Sequence, residues 1–418
     1  MPLGFSRADE VGAPRAAGHT ADASRYGAAR FLSTAMSTPP AVGKGLEHVV
    51  LGRSEISLVA GETGGLVYRG FDIRELVRNA GYEAVVHLLL NGEPPSEPTP
   101  AWLHEELSRR RVPPEAALRI ADTLPTTVPP MDALRTLLSS LGDGSYPYPP
   151  TVEQGLDLIA RTPTLLARFY RRSHGLPPVP PRADLGHAAN YLYMLLGEEP
   201  SATHVQALED YLILLADHGM NASTFALRVV LSTDSDLFSA VTAALAALKG
   251  PAHGGAPARV SEMLNAVGTP DRAAAWIAAR LDAKQRLYGF GHRAYKTDDP
   301  RGLILHEIAR SIATPARFEL AEAVEREALR ALRERRPTQR LFTNVEFYSA
   351  VVLESVGLGP EMFTPTFAIA RTAGWTAHAL EQARDNRLIR PDVEYVGPPV
   401  GRAWPAGARR PRLPGETV

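Results

Sequence analysis

Residues 205–248 read VQALEDYLILLADHGMNASTFALRVVLSTDSDLFSAVTAALAAL. Apolar side chains recur at helical spacing in three successive runs, 205–216, 223–231 and 237–248. Short polar breaks separate them, with Asp217, His218 and Gly219 in the first and Asp234 and Asp236 in the second. Such residues end one helix and cap the next. A stretch that writes helix, break and helix again is building helix against helix. The same writing extends in both directions. Upstream, Asp72 is placed to cap a helix carrying Ile73, Leu76 and Val77, and further helices are predicted over 82–90, 102–111, 114–124, 131–141, 152–172 and 185–196. Downstream they are predicted over 273–287, 302–312, 315–335, 345–356 and 365–386. Only residues 54–70, SEISLVAGETGGLVYRG, read otherwise. Leu58 and Val59 form one short strand and Leu66, Val67 and Tyr68 another, around a glycine-rich turn. The fold class is all-α, with a short N-terminal β-hairpin.

The chain has 418 residues, enough for two to three domains' worth of material. Its 45 Lys and Arg balance 46 Asp and Glu, so no net field points to nucleic acid or a membrane surface. With no cysteine, disulfides, thiolate catalysis and cysteine-held metals are excluded. The absence also fits a reducing, cytoplasmic location. The most apolar stretch, residues 240–248, is well short of the ~18 residues a membrane span needs. Residues 1–45 lack an apolar signal core and read as a disordered extension. A functional start at Met36 is the alternative. Residues 398–418, rich in Pro, Gly and Arg, read as a loose tail.

Candidate chemistry collects at helix ends beside glycine and proline. Residues 216–219 read ADHG, 250–255 GPAHGG, 289–301 GFGHRAYKTDDPR, 343–349 TNVEFYS, and 370–375 ARTAGW. Glycines strip side-chain bulk from around His253 and His292, so a ligand can approach closely. Taken singly, each histidine reads equally as a helix cap, and each of Arg301, Arg371 and Arg390 as a structural ion pair. Glu346 stands in a first helical turn, where an acid is favoured by the helix dipole alone. No P-loop, zinc-protease or nucleophile-elbow motif occurs.

These segments, in this order, resemble the citrate synthase family. So do GGLVYRGFDIREL, HLLLNGEPP and ADHGMNASTFALRV. The resemblance runs from about Glu55 to Gly397. It implies a two-domain helical fold: a large domain of residues 46–255 and 355–397, a smaller inserted domain of residues 256–354, and a homodimer. It also implies a Claisen-type condensation of acetyl-CoA with oxaloacetate, followed by hydrolysis to citrate and CoA, with no permanently bound cofactor and no metal. By the same resemblance His253 stabilises the thioester enolate, His292 polarises the ketone, and Glu346 removes the methyl proton. His218, Arg301 and Arg371 bind oxaloacetate. Arg390 does so from the other subunit. Lys296 is a candidate contact for a CoA phosphate, or else a solvated surface lysine.

The chemistry explains the residue types. A thioester methyl is a weak acid, so a base needs a donor at the developing enolate oxygen. A dicarboxylate suits guanidinium forks. In two places the chain departs from the family pattern. Glu346 stands where most relatives carry Asp, which leaves open an adjusted site, low activity or a different substrate. Pro130 stands where relatives carry His, and reads as structural. The competing readings are a 2-methylcitrate synthase using propionyl-CoA, and a retired paralogue that only binds acyl-CoA or a dicarboxylate. Small size and the lack of a separate N-terminal β domain lead to the expectation of a dimeric type without NADH control.

Overall fold

The structure, a computed structural model, describes residues 44–46, 49–96 and 101–399. The expected extension and tail fall almost wholly outside these residues. Residues 1–53 and 54–418 separate into two units. In the first, the described part is one 3₁₀ turn, Lys44–Leu46, with the Val49 N–H on the Leu46 carbonyl at 3.1 Å.

The second unit opens with three short antiparallel strands in the order β1 (Ser57–Ala60), β2 (Gly65–Tyr68) and β3 (Phe71–Asp72). Ser57 lies opposite Tyr68 and Ala60 opposite Gly65. Between β2 and β3, Arg69 and Gly70 both have positive φ, 48° and 93°. That is the two-residue turn whose twist matches the flanking strands. The expected hairpin is therefore one strand short. Asp72 ends β3 and also caps the first helix, accepting from the Arg74 N–H at 2.8 Å.

Sixteen α-helices follow among the described residues. They are α1 (Ile73–Asn79), α2 (Tyr82–Asn91), α3 (Ala101–Ser108), α4 (Glu115–Thr123), α5 (Pro130–Ser139), α6 (Val152–Ser173), α7 (His187–Leu196) and α8 (Ala202–Leu215). Then come α9 (Ala222–Leu231), α10 (Leu237–Leu248), α11 (Ala256–Val267), α12 (Ala273–Asp282), α13 (Pro300–Ile312), α14 (Pro315–Arg335), α15 (Val345–Ser355) and α16 (Phe363–Arg384). The all-α reading holds, and most predicted helices agree to within two residues. Helix α11 lies where no helix was expected. Its Pro257 sits in the first turn, where a missing N–H leaves nothing unpaired. Helix α12 ends earlier than predicted, at Asp282, because Lys284 turns into the left-handed region at φ 54°. Pro130 opens α5, where its fixed φ suits a first helical turn.

Helix α16 is buried along nearly its whole length and packs against α2, α5, α6, α8, α9, α10 and α11. A helix surrounded in this way carries apolar or paired residues all round rather than one stripe. Its Trp375 is fully buried, and burying a side chain of that class contributes roughly 1.5–3 kcal/mol. Gly374 permits close approach: its N–H donates to the Ala216 carbonyl at 3.1 Å, and a Cβ there would stand 2.3 Å from that oxygen. The later helices pack among themselves, α13 on α15, α12 on α14, and α11 on both α14 and α15. Helices α13 and α15 also meet α8. Thus the end of α8, the breaks before α11 and α13, the start of α15 and the middle of α16 are drawn into one region.

Candidate active site

Asn221 caps α9, its Oδ1 accepting from the Ser223 and Thr224 N–H groups at 3.1 and 3.2 Å. The preceding turn, residues 217–219, is locked from three sides. The Tyr68 hydroxyl donates to the Asp217 carbonyl at 2.8 Å. The Asp217 carboxylate, fully buried, accepts from the Ser57 hydroxyl at 2.5 Å and from the Gly219 N–H at 2.9 Å. Its other oxygen lies 3.2 Å from the His378 ring. Burial alone would raise this carboxyl, but the His378 ring and Arg371 hold it below the usual carboxylate range. His218 is thereby presented on a fixed turn.

Facing it is the segment before α13. His292 Nδ1 accepts from the Ala294 and Tyr295 N–H groups at 2.9 and 3.1 Å. Two donors on Nδ1 leave the proton on Nε2, so this imidazole is neutral and a donor at its far nitrogen. The His218 and His292 rings stand 5.3 Å apart. Asp299 caps α13 and grips Arg301 with both oxygens, at 3.0 and 2.8 Å. Arg371, on α16, is 1% exposed; its Nε donates to the Leu215 carbonyl at 2.7 Å. Its Nη2 is buried and has no hydrogen-bond partner among the described residues. The Phe367 ring lies 4.8 Å beneath its guanidinium and 6.5 Å from His253.

His253 Nε2 lies 3.0 Å from the Ser223 hydroxyl. That hydroxyl donates to Asn221 Oδ1 at 2.7 Å and accepts from Trp375 Nε1 at 3.3 Å. When the hydroxyl hydrogen turns to His253, Nδ1 carries the ring proton and is free to donate. Glu346 stands in the first turn of α15. Asn344 caps that helix on the Glu346 N–H at 3.2 Å and donates from Nδ2 to the Gly291 carbonyl at 2.9 Å. The base candidate and the histidine loop are thereby joined. Glu346 Oε2 is buried with no partner among the described residues.

The electrostatics follow from burial among fixed cations. Burial, then Arg301 and His292, hold His218 well below the ordinary histidine range. Burial, then Arg301, lowers His292 to about 4. Burial, then Arg371, lowers His253 to about 4. All three rings are neutral near pH 7. Burial raises Glu346, with Arg301 opposing. Two guanidinium groups gathered with neutral imidazoles suit a small dianion. The raised, unpartnered carboxylate beside it is suited to taking a proton.

The structure thus gathers His218, His253, His292, Arg301, Glu346 and Arg371 into one region. It does not bring Arg390 there, and Lys296 acts on the region only through its charge, which helps lower His292. Lys296 is exposed, its Nζ 3.5 Å from the Arg293 carbonyl, while its N–H donates to the Gly61 carbonyl at 2.9 Å. Arg390 lies beyond α16, 77% exposed and 3.9 Å from Asp392. Sequence reading missed Asp217, Ser223, Asp299, Asn344 and Phe367. Asp299 and Asn344 were legible only as caps, and nothing in the order of residues shows what a cap's side chain also grips.

Comparison with known proteins shows the family. Residues 45–392 match the family described as "Citrate synthase, C-terminal domain". The chain is 40% identical to citrate synthase 2 of Bacillus subtilis, over 85% of this chain and 96% of that one. It is 37% identical to a 2-methylcitrate synthase of Mycobacterium tuberculosis, over 86% and 91%. The crystal structure of a ternary complex of citrate synthase from Thermoplasma acidophilum with carboxymethyl coenzyme A and oxaloacetate superposes with a TM-score of 0.80, at 29% identity, covering 88% of this chain and 99% of that one. The chain is an enzyme of the citrate synthase family.

Proposed function

We propose that this enzyme condenses acetyl-CoA with oxaloacetate and hydrolyses the product thioester to citrate and CoA. The observation that carries the reading is that Glu346 and Arg371 each keep a buried polar atom unpartnered among the described residues, in a region they share with three neutral histidines. Arg301 and Arg371 hold the carboxylates of the keto diacid. The Nε2–H of His292 donates to its ketone oxygen. Glu346 takes a proton from the thioester methyl while the Nδ1–H of His253 meets the developing enolate oxygen. The enolate carbon attacks the ketone carbon, whose oxygen becomes the alkoxide and is protonated. Water then replaces CoA at the thioester carbonyl. The His292 donor is already in place and needs no reorganisation in the transition state, whereas the His253 donor requires the Ser223 hydrogen to turn from Asn221.

The supporting comparison is the Thermoplasma enzyme, whose complex holds a CoA derivative and oxaloacetate. The 2-methylcitrate synthase relative supports a second reading, with propionyl-CoA as thioester. One methyl group shifts binding by only about 1–3 kcal/mol. Steady-state kinetics with both thioesters, following free thiol, decides between them: acetyl-CoA should give the higher kcat/KM. Release of thiol from neither, in a folded protein that binds oxaloacetate, supports the retired-paralogue reading.

The reading carries further proposals. Residues 256–354 act as a smaller domain that closes on the rest, in a cytoplasmic homodimer without a permanent cofactor. Arg390 completes the partner's site, and Lys296 approaches a CoA phosphate. Mixing R390A with H292A subunits should restore activity if Arg390 serves the partner. No recovery in proven heterodimers would assign it to its own subunit or to none.

A further inference from the structure

Tyr295 touches more of this site than any residue assigned a role in it. It is 3% exposed. Its hydroxyl lies 3.2 Å from His218 Nε2 and 3.5 Å from the Gly65 carbonyl on β2. Its ring stands 4.8 Å from that of His292 and 5.5 Å from that of His218. The Arg301 guanidinium lies over its face at 6.0 Å. Its own N–H is one of the two donors that fix His292 Nδ1.

The hydroxyl has one hydrogen and two acceptors within reach. At 3.5 Å the Gly65 carbonyl is beyond the ~2.5–3.0 Å of a good O–H···O bond. His218 Nε2 is nearer. No protein hydrogen bond reaches His218 Nδ1 among the described residues, and Arg301, Arg371 and His292 all disfavour a charged ring there. A hydrogen from the phenol to Nε2 resolves both demands. It keeps the imidazole neutral and puts its single proton on Nδ1.

We propose that Tyr295 is a positioning residue: its hydroxyl fixes His218 as the Nδ1–H tautomer, and its ring and N–H hold His292 in register with it. The two histidines then act as a preset pair of donors for the keto diacid. The role in turnover rests on the condensation reading above; the tautomer assignment does not.

The test is Tyr295→Phe, which keeps the ring and removes only the hydroxyl. Loss of a hydrogen bond of about 1.4 kcal/mol corresponds to roughly tenfold in an equilibrium constant. The expected result is a KM for oxaloacetate raised roughly tenfold, with KM for the thioester at saturating oxaloacetate unchanged. In a His218→Asn background the same change should add nothing, because Tyr295 acts through His218. Full additivity in that background, or an unchanged oxaloacetate KM in Tyr295→Phe, overturns the proposal. Ring ¹⁵N spectra of labelled histidine, with His218→Asn assigning the signals, need no substrate. They should show His218 protonated at Nδ1 in the wild type and a shifted tautomer balance in Tyr295→Phe. A wild type protonated at Nε2 overturns the tautomer assignment even if no thioester is turned over. A wild type without condensing activity but with the expected spectra removes the functional reading alone.

Discussion

Asp299 holds Arg301 with both carboxylate oxygens and, through Oδ2, also accepts from the Val345 N–H at 3.2 Å, one residue before Glu346. A single buried carboxylate therefore ties the anion-binding guanidinium to the start of the helix that carries the base. Both partners are almost fully buried, at 1% and 3% side-chain exposure. Breaking such a pair strands a charge and costs about 3–5 kcal/mol. Asp299→Asn should lower the melting temperature, raise KM for oxaloacetate and lower kcat together. Asp132→Asn, which breaks the more exposed Lys249 pair, should leave all three close to wild type. Equal effects from the two substitutions would remove the coupling role.

Loss of catalytic donors should separate from loss of fold. His253 and His292 lie in breaks between helices rather than in helix cores. His253→Ala and His292→Ala should each reduce kcat about 10²–10³-fold or more, the scale of one missing oxyanion donor. Circular dichroism should stay unchanged. Near-wild-type turnover in either variant would contradict its assigned donor role.

How far this site was legible in the sequence depends on the residue. His218, His253 and His292 stand in short glycine-marked breaks and Arg301 follows the proline that opens α13, so residue type and local signal together made them visible. Arg371 is different. It sits inside α16, and only the resemblance gave it a role beyond a structural ion pair; its orphaned Nη2 is a property of packing. The β-hairpin and the helices 237–248 and 315–335 were legible because period and caps agree. Helix α11 was not, since the glycine-rich run and Pro257 read as breakers although Pro257 occupies a tolerated first-turn position. Tyr295 was invisible for a third reason: its partners lie 77 and 230 positions away in sequence.

The pH dependence follows from the burial of these groups. Glu346 must be ionised to take a proton, and burial raises its pKa. The acid limb of kcat should therefore lie above the ordinary glutamic acid value. His253 and His292, lowered to about 4, should add no inflection near 6.5. Stability has its own sign. His253 and His292 at about 4 and His187 at about 3 bind protons less readily folded than unfolded. Between about pH 6.5 and 4 the unfolded chain holds more protons, so stability falls as pH falls through that window. Glu346, Glu209 and Asp210 (the last pushed up to about 6), all raised by burial, act in the opposite direction. Melting curves from pH 7.5 to 4.5 should show the decline. A profile that stays flat even in a Glu209→Gln, Asp210→Asn background would mean that one or more of these histidines is charged in the folded protein.

Glu346 offers the sharpest discrimination. Its Oε2 is buried and unpartnered, and its helix start is pinned by Asn344 to the histidine loop and by Asp299 at Val345. A pinned backbone cannot advance to meet a substrate if the side chain is shortened. Glu346→Asp draws the carboxylate back by roughly 1 Å, and misplacement on that scale can lower the rate about 10²-fold. If the site is built around glutamate, Glu346→Asp should lower kcat by about that factor with KM for oxaloacetate little changed, and Glu346→Gln should abolish turnover while oxaloacetate still binds. A site that has drifted from an aspartate ancestor behaves in the opposite way, with Glu346→Asp faster than the wild type. The two outcomes differ in sign, so one rate measurement on one variant, beside the wild type, settles whether the longer acid belongs to the working geometry.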